Sequence, residues 1–158
     1  MMKYTRLTKQ QLEALHHDFA RFLAAQQITA EEWQQIKEQK PEVAEQELDI
    51  FSDLVWERSL QKVKFLEKIE PQSIFCFEVG QTQIQMLSVR VINPEVDLNT
   101  LEGMLWLTRH FNDESVQMYQ GNKAFSQERN MEIFELILQG VVICEGDLFR
   151  SLSQMLKQ

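Results

Sequence analysis

The chain has 158 residues, 44% of them hydrophobic, and a formal net charge of −8 at pH 7. That length predicts one compact domain spanning residues 1–158 with room for a real core, and the acidity excludes the usual electrostatic routes to nucleic acid and to an anionic membrane surface. No apolar run approaches the roughly 18 residues of a membrane span, and the first residues lack the apolar stretch of a signal peptide, so the expected setting is the cytoplasm.

Thr8-Lys-Gln-Gln11 is a T-x-x-Q capping box, with Leu7 and Leu12 at the staple positions around it. It predicts a helix over about 9–26 whose apolar stripe is Leu12, Leu15, Phe19, Phe22 and Leu23. Thr29-Ala-Glu-Glu32 is a second box, with Ile28 and Trp33 as its staple, and predicts a helix over about 30–39. Pro41 suits the first turn of a third helix, where its missing N–H costs nothing. No Gly or Pro lies between Pro41 and Pro71. The stretch therefore reads as one long central helix ending near Glu70, about 45 Å at 1.5 Å per residue. Val43, Ile50, Phe51, Leu54, Phe65 and Ile69 share its apolar side. Glu47 projects among them and needs a partner if it is buried.

The opposite face of this helix carries Glu45, Asp49, Asp53 and Glu57, each four residues after the last. Like charges at that spacing destabilise a helix by a few tenths of a kcal/mol per pair. The row therefore needs a cause: a cationic partner, a metal, or solvation. Trp56 sits between Asp53 and Glu57, and a tryptophan amid acids is the kind of anchor that binding surfaces use.

Beyond Pro71 the pattern changes. Residues 73–79 and 84–92 are β-rich, with Gly80-Gln-Thr-Gln83 as a hairpin loop. Asn99-Thr-Leu-Glu102 opens a helix to about His110, and residues 115–119 offer a third strand. Ser126 is placed to cap a helix ending at Gly140, a suitable C′ residue. Residues 141–144 read as an apolar connector, and Glu145-Gly-Asp147 opens a last helix.

Catalytic signatures are sparse. Neither G-x-G-x-x-G nor G-x-x-x-x-G-K-[ST] occurs, and no G-x-S-x-G supplies a nucleophile elbow. One Glu-x-x-His motif exists, Glu13-Ala-Leu-His16, where a carboxylate-bridged metal bundle would want two. His110 with Asp113 and Glu114 offers a His–carboxylate pair, or a histidine at a helix C-terminus. Cys76 and Cys144 lack metal spacing and read as reduced thiols. No cofactor is expected.

Four segments carry a resemblance: Tyr4-Thr-Arg-Leu-Thr8, Ile28-Thr-Ala-Glu-Glu-Trp33, residues 40–48 with 51–56, and residues 129–137. Through them the chain resembles a small family of uncharacterised bacterial cytoplasmic proteins. The resemblance implies one bacterial domain and transfers no activity, ligand or site residue.

The fold expected is α+β: a long central helix with two N-terminal helices, a small antiparallel sheet of two or three strands, and C-terminal helices. Open sheet edges leave room for a homo-oligomer. The function expected is that of a non-catalytic adaptor or regulator. It would dock a basic protein partner through Glu45, Asp49, Asp53, Trp56 and Glu57. The alternative is a metal-binding protein or enzyme using Glu13, His16 and the helix carboxylates.

Overall fold

The computed structural model describes residues 2–157, which divide between Gln61 and Lys62 into two compact units. The described residues form an α+β fold of seven helices and one five-stranded antiparallel sheet.

The first unit is helical: α1 (Lys9–Ala14), α2 (His16–Ala25), α3 (Ala30–Gln39) and α4 (Pro41–Gln61). The Thr8 hydroxyl accepts from the Gln11 N–H, and the Gln11 side-chain oxygen accepts from the Thr8 N–H, so this capping box is complete. Thr29 likewise accepts from the Glu32 N–H. The single first helix expected from periodicity is interrupted at Leu15, which ends α1 and precedes α2. The core of this unit is aromatic. Phe19 lies 5.1 Å from both Trp33 and Phe51, ring centre to ring centre, and Phe22 lies 5.4 Å from Phe51. Glu47, half-buried on α4, accepts from Gln26 Nε2 at 2.9 Å.

The second unit holds β1 (Phe65–Glu70), β2 (Ser73–Val79), β3 (Gln83–Val91), α5 (Leu101–Arg109), β4 (Val116–Ala124), α6 (Arg129–Leu138), β5 (Val142–Cys144) and α7 (Asp147–Leu156). The strand order is β4-β3-β2-β1-β5. Two expectations are corrected here. The sheet has five strands rather than two or three, and the helix from Pro41 stops at Gln61, so the long central helix is not formed. Phe65 and Ile69 are four apart and suit a helix face, but they also alternate with Leu66 and Lys68 at the period of a strand. Non-local bonding decided between the two periods: β1 pairs with β2 on one side and β5 on the other. Pro71 marks a turn instead of a helix end. It sits with Gln72 between Glu70 and Ser73, a position where proline's fixed φ favours reversal.

Alternation gives the sheet two faces. On one, Ile74, Cys76, Leu87, Val89 and Val91 pack with Leu107 of α5 and with Phe149 and Leu152 of α7. On the other, Phe77 and Ile84 approach Leu136 of α6. Two glycines make close approaches possible. A Cβ on Gly103 would stand 1.8 Å from the Asp97 carbonyl oxygen, so α5 meets that loop only without a side chain. Gly146 has φ +89° beside the Phe65 ring, a backbone region that favours glycine.

Candidate functional site

The acidic row lies where periodicity placed it, on α4, and it is met by cations from its own chain. A non-helical segment, residues 3–7, runs along α4 in the opposite direction. The Lys3 main-chain N–H donates to Asp53 Oδ2 at 2.7 Å, and the Tyr4 N–H donates to Asp53 Oδ1 at 2.9 Å. Lys3 Nζ lies 3.3 Å from Glu57, and the Tyr4 hydroxyl donates to the same carboxylate. Arg6 donates to Asp49 Oδ1 through Nε at 2.8 Å, lies 2.6 Å from it through a terminal nitrogen, and pairs with Glu45 through the other. The Leu7 N–H closes the series on the buried Ser52 hydroxyl at 3.1 Å.

These contacts differ in weight. The Glu45, Asp49 and Glu57 side chains are 58%, 32% and 30% exposed, and ion pairs so open to water are worth about 0–1 kcal/mol each. Asp53 does more, because both its oxygens take main-chain donors, and bonds to a charged group contribute about 1.5–3 kcal/mol. Burial, then the bond to Glu57, pushes the Tyr4 hydroxyl up to about 12. The Trp56 ring centre lies 6.4 Å from that of Tyr4, so the tryptophan is half-buried beside the segment. The segment itself escaped the sequence reading. Its signal was two bases, Lys3 and Arg6, ahead of the first capping box with no acid before Glu13.

The histidines are engaged locally. Glu13 belongs to α1 and His16 begins α2, and His16 Nδ1 lies 2.9 Å from the Glu13 carbonyl oxygen. His110 stacks on Trp106 at 4.6 Å, with Nδ1 2.8 Å from the Trp106 carbonyl. Asp113 accepts from the Ser115 N–H and hydroxyl, which hold its carboxyl below the usual range, and Glu114 is exposed. Among the described residues no three His, Cys, Asp or Glu side chains are gathered so as to hold a metal ion.

Residues 2–157 match the model of a family of unknown function, DUF6495. The chain belongs to the DUF6495 family. No curated protein and no solved structure matches it. Full-length membership agrees with the resemblance to an uncharacterised family, and it assigns no chemistry.

In this DUF6495 chain one further cluster went unseen in the sequence. Glu132 of α6 is buried, and its Oε1 accepts from the Ser126 N–H at 3.2 Å, the Ser126 hydroxyl at 2.6 Å and Lys123 Nζ at 3.2 Å. The cap expected at Ser126 is not formed, because α6 begins only at Arg129 with Glu128 at its N-cap position. Arg129 in turn donates to the carbonyls of Gly80 at 2.9 Å and Val63 at 2.7 Å. The cysteines are free, with burial pushing Cys76 up to about 12 and Cys144 upward. No helix among the described residues is long and apolar enough to cross a membrane.

Proposed function

We propose that this chain is a non-catalytic cytoplasmic adaptor or regulator whose α4 face docks a basic protein partner. One observation carries the reading. The face holds residues 3–7 through two main-chain N–H groups on Asp53 and through Lys3 and Arg6 on the flanking carboxylates. A basic, non-helical segment of another protein would offer the same donors. Residues 3–7 already occupy the face, so a partner exchanges with them or adds at the more exposed Glu45. Exchange removes Tyr4 from beside Trp56 and so changes the surroundings of that ring, which gives this event its own fluorescent reporter.

The test compares partner capture on the wild-type chain with capture on a D49N/D53N/E57Q variant. The reading expects a basic partner on the wild type, strongly reduced on the variant. The difference should shrink as salt rises past roughly 0.15 M, where the Debye length is about 8 Å. Equal capture of the same partners by both chains at low salt would show that the row serves only residues 3–7.

A further inference from the structure

On the α6 side of the sheet a cavity of about 200 Å³ is walled by Phe77, Ile84, Phe125 and Leu136. Glu132 lines the same cavity, with its side chain only 10% exposed. Its two oxygens are unequally served. Oε1 accepts three bonds, from Ser126 twice and from Lys123. Oε2 is fully buried and meets no donor among the described residues. The bonds from Ser126, outweighing burial, hold the carboxyl ionised below its usual range. A buried anionic oxygen with no donor is unfavourable, and a ligand that supplies one relieves it. The terminal torsion of a glutamate is soft, so the carboxylate can turn to meet a donor placed in the cavity.

We propose that this cavity binds a small organic cation, an ammonium donating to Glu132 and carried on an aryl or branched alkyl body. The charge of the lining favours that class, because Glu132 and Glu135 face a single base, Lys123. Lys123 already rehearses the contact, its ammonium standing 3.2 Å from Oε1. The walls suit the body. A cavity of about 150 Å³ lined by Leu, Ile and Phe accepts a benzene ring, so about 200 Å³ leaves room for a ring with a short aminoalkyl arm. Phenylalanine faces also attract cations. The two carboxylates oppose an anion of equal size, and a neutral isostere forgoes the charge-assisted bond.

The experiment is an NMR titration of the full chain with phenethylammonium, phenethyl alcohol and phenylacetate. The expected result is saturable shifts at Phe125, Glu132 and Leu136 with phenethylammonium, at a Kd of about 1 mM or tighter. The alcohol should bind roughly tenfold more weakly, and phenylacetate not at all. Glu132→Gln keeps an acceptor for Ser126 but removes the charge, and should lower ammonium affinity by at least about tenfold. Leu136→Trp fills the space and should abolish binding. Absence of saturation with phenethylammonium, or equal binding of the alcohol, overturns the proposal. Unchanged affinity in a folded Glu132→Gln chain does so too. If that variant does not fold, the comparison of ammonium with alcohol on the wild type decides alone.

Discussion

The two units of this molecule spend their carboxylates differently. In residues 1–61 four acids of α4 are spread along a face, and Lys3, Tyr4 and Arg6 serve them in overlapping fashion. The Lys3, Arg6 and Glu45 side chains are 38%, 36% and 58% exposed, so water can replace their contacts. In residues 62–158 one acid, Glu132, is nearly closed off and gathers three donors on a single oxygen. The same unit depends on Gly103, where a methyl group would collide with backbone. The first unit is thus redundant and forgiving at its polar surface. The second concentrates its strain and its polar bonding at a few positions.

Substitutions should separate these designs. The largest effect is expected for Gly103→Ala, which forces α5 off the Asp97 loop. A loss of about 3 kcal/mol follows from overpacking against backbone, measured by urea unfolding. Trp106 reports on its unit, while Trp33 and Trp56 report on the other. If the chain unfolds as one domain, as its length predicts, tryptophan-to-phenylalanine variants leaving one reporter set will show coincident transitions. Separate midpoints would make the comparison one between two independent folding units.

Glu132→Ala should cost about 2 kcal/mol, since it strips the acceptor from Ser126 and Lys123. Glu132 also predicts a direction with pH. Its folded pKa is lowered, so the folded state releases this proton more readily than the unfolded chain. The stabilisation is complete above the ordinary glutamate value and is lost as pH falls through the lowered one. The wild type should therefore lose stability on acidification faster than Glu132→Gln, as read by acid-range unfolding.

Ser52→Ala should cost about 1 kcal/mol in the first unit, because the Leu7 N–H loses its buried acceptor. Tyr4 contributes at the alkaline end. Its pKa is raised, so its contribution is present below the ordinary tyrosine value and lost as pH rises towards about 12. Tyrosinate absorbance of a Tyr119→Phe variant isolates that titration, and an ordinary tyrosine midpoint there would contradict burial of Tyr4. The smallest effect is expected for Arg6→Ala: at most about 1 kcal/mol, shrinking further with added salt. A loss as large as that for Glu132→Ala would erase the contrast drawn between the units.

Local chemistry was legible along the chain. Thr8 and Thr29 bond to N–H groups three residues on, so their caps need no tertiary information. The β2–β3 hairpin was equally local, with β-branched and aromatic runs around Gly80. The acidic face of α4 was readable too, because helical spacing alone gathers Glu45, Asp49, Asp53 and Glu57. What meets that face was not readable, since Lys3 and Arg6 act on residues 39 to 54 positions away.

Phe65–Glu70 shows the limit most plainly. Its residues satisfy the helix period and the strand period at once, and only the flanking β2 and β5 select the strand. The three residues of β5 become a strand only because β1 is there to receive their hydrogen bonds. Glu132 stands between these cases: its type and its helix were visible, but its burial and its donors came from packing. By itself, then, the sequence determined caps, turns and the charge on each helix face, because these arise within a few residues. The tertiary structure decided which segment becomes a strand, what neutralises the acidic row and which carboxylate is enclosed. Those outcomes depend on hydrogen bonds and burial supplied by distant parts of the chain.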